Sequence, residues 1–169
     1  MDFEKLVKER YSLRKYSNRP VEREKLDLIL ESARVAPTAK NIQPHYLLVL
    51  QSEEARKKAD ACMGSHFDAP LMIIVSYDPS AEFVREDGQR FGEIDATIAA
   101  TQMLLQAADI GVGSCYVGLF DKNALKQSFE ELSGLSPTAV LCFGYPDEGA
   151  HPSRLHGDRR SIDKMVKSL

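Results

Sequence analysis

No apolar run in this chain approaches the roughly 20 residues that a helix needs to cross a bilayer, so a protein of membrane-spanning helices is excluded. Cysteine is scarce. Cys62, Cys115 and Cys142 make an odd count without repeated spacing, which leaves no disulfide framework and suits buried free thiols. Metal ligands are equally thin. Cys62 and His66 are one possible pair, while His45, His151 and His156 are scattered; a zinc centre needs three or four ligands, and no metal is expected. No serine stands in a Gly-x-Ser-x-Gly elbow and no phosphate-loop lysine motif occurs, which removes two common routes to catalysis. Gly111-Val-Gly113 follows a helical segment and precedes a strand-like one, with Tyr116 where a third glycine would stand. A dinucleotide-binding turn needs the opposite order, strand then helix. There is no internal repeat, low-complexity segment or linker, and the charged start Met1-Asp-Phe-Glu-Lys5 contains no apolar signal core. The expected setting is a reducing cytoplasm.

What remains is an ordinary globular composition, 43% hydrophobic and 28% charged over 169 residues, enough for one domain, residues 1–169, with a core of its own. Its charge is uneven. Residues 1–25 carry eight Lys/Arg against five Asp/Glu, residues 151–169 five against two, and residues 26–150 nine against eighteen. Two basic ends on an acidic body suit one small anion better than a nucleic acid, which calls for a dominant basic face.

Periodicity gives a short amphipathic helix over residues 2–9 and a second opened by Pro20 and closed by Pro37. Buried strands are expected at 46–50, 71–77, 112–117 and 138–143. A polar helix follows the N-cap Ser52, another follows Asp121 and runs to about 132, and a last short one starts at Ser161. Residues 93–110 read as a helix apolar on nearly every side, so it should be buried on every side, a central helix and a candidate to be shared with a second subunit. Residues 78–92 are polar and unpatterned, the candidate for a mobile lid. Helices alternating with buried strands indicate a central sheet covered on both faces, of α/β or α+β type.

Two segments carry the chemistry. Arg10-Tyr-Ser12-Leu-Arg14 offers two guanidinium groups and a hydroxyl within five residues, a cradle for phosphate. Ala36-Pro37-Thr38-Ala39-Lys40-Asn41-Ile42-Gln43-Pro44 places small, hydroxyl and amide side chains between prolines, an irregular loop able to press against a flat ring. Anion-binding groups with few acid–base candidates are what a cofactor enzyme presents, because the cofactor does the chemistry. No catalytic side chain is expected.

These segments, with Ala108-Asp-Ile-Gly111-Val-Gly113-Ser114, Tyr116-Val117-Gly118-Leu119-Phe120-Asp121 and Gly144-Tyr145-Pro146, resemble the nitroreductase family of FMN-dependent oxidoreductases over nearly the whole chain. The resemblance implies an α+β fold, a mostly antiparallel central sheet flanked by helices on both faces, and an intertwined homodimer with two flavin sites. It implies that Arg10 and Ser12 meet the FMN phosphate and ribityl end, with Arg14 at the pyrimidine edge. Pro37, Thr38 and Ala39 would lie against the flavin and Asn41 on its pyrimidine ring. The backbone of Val117 and Gly118 would approach N5, and Arg159 or Arg160 would complete the phosphate grip. One departure stands out, since the family's usual tryptophan after Asn-x-Gln-Pro is His45 here. The activity implied is hydride transfer from NAD(P)H through FMN to a nitroaromatic, quinone or similar acceptor by a ping-pong cycle. The alternative is the same cradle in a non-catalytic flavin sensor or carrier.

Overall fold

The computed structural model describes residues 2–169. In chain order, α1 (Phe3–Glu9) and α2 (Arg23–Arg34) precede β1 (His45–Leu50), α3 (Glu53–Asp60) and β2 (Leu71–Tyr77). Then come α4 (Gly92–Asp109), β3 (Gly113–Val117), α5 (Lys122–Ser128) and β4 (Ser136–Gly144). The strands form one sheet in the order β1-β2-β4-β3, antiparallel at every pairing. Register slips between Val75 and Ser76 of β2, opposite Pro137, a residue with no N–H to give the ladder.

Alternation along the central strands feeds two cores. Leu71, Ile73 and Val75 of β2, with Ala139, Leu141 and Phe143 of β4, pack on the face covered by α2 and α4. Met72 and Ile74, with Val140 and Cys142, face the other layer, where Leu13, Tyr16, Ala59, Leu125 and Leu132 close over them. Among the described residues no helix is long and apolar enough to cross a membrane.

Caps read from the sequence are present. Ser52 Oγ accepts the Ala55 N–H and Asp121 accepts those of Asn123 and Ala124. Four expectations change. β1 is an edge strand with Tyr46 54% exposed, so its apolar run is half-buried. The helix after Asp121 breaks at Phe129 into a separate 3-10 turn, Glu130–Leu132. The tail helix is a single 3-10 turn, Ile162–Lys164. Residues 78–92 are a tied structure: Val84 bridges Arg90, Phe91 N–H donates to the Phe83 carbonyl, and the buried Glu82 carboxylate accepts from Gly92 N–H and Arg90 Nε, both at 2.7 Å.

α4 is buried on its sheet side through Ala96, Ala99, Ala100, Met103, Leu104 and Ala107. Its far side is open. Ile94 is 42% exposed, and Leu105 lies in a groove with Phe3, Leu28 and Val35.

Candidate functional site

The first half of the site is built on the β3 edge. α1 ends at Glu9 and Arg10 caps it, its N–H donating to the Leu6 carbonyl. The chain then turns along β3. Ser12 bridges Ser114 in parallel, and Leu13 N–H donates to the Ser114 carbonyl at 2.9 Å. Gly113 makes this approach possible, since a Cβ there would stand 2.3 Å from Leu13 Cδ2. Three residues after Leu13, the buried Tyr16 hydroxyl reaches the carbonyls of Leu13 (2.9 Å) and Cys142 (3.2 Å), and burial raises its pKa far above the usual phenol range. Backbone and side chain thus fix the segment while leaving Arg10 and Ser12 half-exposed and Arg14 exposed.

All three groups act electrostatically on Cys115. Burial pushes that thiol's pKa up, while the Arg14 charge, a hydrogen bond from Ser12 and the Arg10 charge all act against it. Arg14 otherwise reaches only the Ser12 carbonyl, at 3.3 Å. Arg19, Arg23, Arg34, Arg85 and Arg90 each hold a carboxylate. Among the described residues neither Arg10 nor Arg14 is found in such an ion pair. A cleft of about 370 Å³ opens beside Ser12 and Arg14, closed on its other side by Gly149, His151 and Ser153. Two guanidinium groups and a hydroxyl without an anionic partner form a donor set that fits a phosphate.

Val117 and Gly118 lie at the far end of the same strand. Val117 is buried and Gly118 exposed. A Cβ at Gly118 would meet nothing nearer than Tyr116 Cε1, 3.7 Å away, so nothing in this chain crowds that backbone.

The second half is the loop before β1. Its strain is visible in the backbone: Lys40, Asn41 and Gln43 have φ of 50°, 55° and 56°, the left-handed region disfavoured by a Cβ. Thr38 ties it internally, its carbonyl accepting Asn41 N–H and its Oγ1 accepting Gln43 N–H at 3.0 Å. Ala39 N–H donates to Asp95 Oδ1 on α4 at 3.0 Å, and Lys40 Nζ sits 4.6 Å from the Phe83 ring centre. Asp95, buried to 1% exposure, escaped the sequence reading because an acid in a helix's first turn is normally solvated there. His45, where the family has tryptophan, is half-buried, and burial lowers its pKa.

One chain does not bring the two halves together. The loop enters β1 and Ser12 lies on β3, the opposite sheet edge, three strand spacings or about 14 Å across. They also sit at opposite ends of α4, at Asp95 and near Ala108, about 20 Å apart at 1.5 Å per residue. Arg159 and Arg160 are exposed and bond tail carbonyls, those of Leu155, Asp158 and Lys164. The tail meets the first half at His156, edge-on to Tyr11 with ring centres 6.2 Å apart.

Comparison with known proteins agrees with this architecture. The model of the nitroreductase family matches residues 7–67 and 62–145. A nitroreductase family protein of Clostridium difficile 630 superposes with a TM-score of 0.91 at 36% identity, covering 99% of this chain and 98% of its own. The FMN-dependent nitroreductase of Clostridium difficile R20291 superposes at 0.81 with 28% identity, covering 96% of each. A relative from Methanothermobacter thermautotrophicus, named a candidate NADH dehydrogenase/NAD(P)H nitroreductase, is 30% identical over 169 residues, 92% of this chain and 86% of its own. On sequence, fold and motif order together, the chain belongs to the nitroreductase family.

Proposed function

We propose that this chain, as one domain over residues 1–169, is an FMN-dependent NAD(P)H oxidoreductase that works as a homodimer. The observation that carries the reading is the placement of Ser12 and Arg14 on one cleft at the β3 edge, with Arg10 two residues before Ser12 and neither guanidinium group found in an ion pair among the described residues. The similar Clostridium difficile R20291 protein is an FMN-dependent nitroreductase. When bound, FMN supplies the redox chemistry, accepting hydride from NAD(P)H and passing electrons on to a nitroaromatic, quinone or similar acceptor in a ping-pong cycle.

The chain's residues bind and orient. Arg10 and Ser12 hold the phosphate and ribityl end by charge-assisted hydrogen bonds. Arg14 places positive charge at the pyrimidine edge, which favours the reduced, anionic ring. The open backbone of Val117 and Gly118 leaves room for a flat ring to approach an N–H. Pro37, Thr38, Ala39 and Asn41 supply the opposing wall from a second copy, because their own protomer holds them on the other sheet edge. Arg159 and Arg160 stand in the tail whose His156 touches Tyr11, and one of them adds a further cation to the phosphate.

The test is an absorption spectrum of purified protein, before and after anaerobic NADH or NADPH, followed by turnover with a quinone or nitroaromatic. A yellow protein bleached by nicotinamide and recoloured by the acceptor is expected. A colourless sample that ignores added FMN overturns the reading. A flavin-loaded protein without turnover makes it a sensor or carrier.

A further inference from the structure

The loop over residues 38–43 has three residues at positive φ and no glycine to relieve them, so contacts beyond its internal Thr38 bonds help to hold it. The hydrogen bond from Ala39 N–H to Asp95 Oδ1, at 3.0 Å, is such a contact with a charged group. Asp95 is 1% exposed, and its second oxygen, Oδ2, is buried without a partner. A buried carboxylate oxygen left alone is costly enough that it signals a missing donor.

The neighbouring candidate partner is also an acceptor. His45 Nδ1 is buried and unpartnered. The ring feels the charge of Asp95 and a backbone group of Ala33. Burial favours the neutral ring, and in the tautomer with its proton on Nε2 the unpartnered Nδ1 is an acceptor. Two buried acceptors within electrostatic reach of one another need a donor that serves both, and a single water has two.

We propose that Asp95 is a positioning residue for the flavin-facing loop, holding Ala39 through one oxygen while its other oxygen and His45 Nδ1 share a buried donor. The flavin side of this statement rests on the function proposed above; the loop side does not. Asp95 on α4 and His45 at the start of β1 thereby fasten both ends of the strained turn to the body of the fold.

Two variants separate the cases. Asp95→Ala removes the acceptor for Ala39 and the contact to His45. Asp95→Asn keeps a carbonyl oxygen for Ala39 N–H and directs an amide donor at His45 Nδ1, replacing the shared donor. In flavin-free protein, amide exchange at residue 39 should accelerate at least tenfold in D95A and stay within threefold of wild type in D95N. FMN affinity should fall at least tenfold in D95A and hold within threefold in D95N, with the melting temperature of D95N equal to wild type or higher. Unchanged exchange in D95A overturns the proposal, and so does a D95N that exchanges as fast as D95A or melts lower than wild type. Should D95A fail to fold, D95N alone decides through exchange and melting. Should wild type refuse FMN, the proposed function falls while exchange still judges the loop.

Discussion

Arg10 and Arg14 differ from five other arginines of this chain in what they lack. Arg19, Arg23, Arg34, Arg85 and Arg90 each hold a carboxylate, as Arg23 holds Asp27 at 2.8 Å, whereas among the described residues Arg10 and Arg14 are found in no such ion pair and act electrostatically on the buried Cys115. Holding two cations side by side opposes folding slightly unless an anion joins them, so phosphate binding and local order should reinforce one another. A hydrogen bond to a charged group contributes about 1.5–3 kcal/mol. Arg10→Ala or Arg14→Ala should therefore weaken FMN roughly ten- to hundredfold by fluorescence titration, while Arg23→Ala leaves affinity unchanged. Arg14→Lys should recover only part of the loss, because a point charge replaces a planar fork. Equal affinity in wild type and both alanine variants would move the phosphate elsewhere.

At the scale of elements, the segment between β2 and α4 shows how a polar stretch becomes structure. Nothing in its pattern separates it from a mobile lid, because its order comes from one residue, Glu82, whose side chain is turned inward. Its carboxylate takes the Gly92 N–H at the start of α4 and the Arg90 guanidinium, so it fastens the short Val84–Arg90 bridge to the long helix. Removing it leaves a buried N–H unsatisfied, at about 1–3 kcal/mol. Glu82→Ala should lower stability by about that much in urea unfolding and open the segment to trypsin at Arg85 and Arg90. Glu82→Gln, which keeps an acceptor for Gly92, should lose less. A Glu82→Ala protein as resistant as wild type would mean that the Phe83 and Phe91 contact (5.4 Å) carries the segment instead. The same contrast explains what was legible. Elements governed by local chemistry, such as the Ser52 and Asp121 caps and the apolar run of β2, could be read directly, and the spacing Arg10-x-Ser12-x-Arg14 marked a cluster of donors before any contact was known. Features set by tertiary contact could not. The inward turns of Glu82 and Asp95, the half-buried state of the edge strand β1 and the break at Phe129 all depend on residues distant in the chain.

For the whole molecule, the question is how a site whose halves lie on opposite sheet edges can act as one. In the homodimer proposed above a second copy would answer it, and the outer side of α4 is where that copy would sit. Its sheet side is filled by alanines and Met103, but Leu28 at 49%, Val35 at 57% and Phe3 at 66% remain exposed around Leu105, and Ile94 at 42% toward the helix's other end. Exposed apolar side chains gathered in a groove with a polar border of Glu31, Ser32, Gln102 and Gln106 are typical of an interface. Closing it against a symmetry mate would bury these side chains and bring a loop containing Asn41 toward the partner's arginines. Leu105→Glu would set a carboxylate in that groove, where an unpaired charge costs several kcal/mol once water is excluded. By light scattering coupled to gel filtration, wild type should elute at twice the chain mass and Leu105→Glu at one. The variant should also lose FMN although it alters neither Arg10 nor Arg14, because the opposing wall has departed. A wild-type monomer that still binds FMN tightly would require the two halves to meet within one chain, and the shared-site arrangement would be wrong.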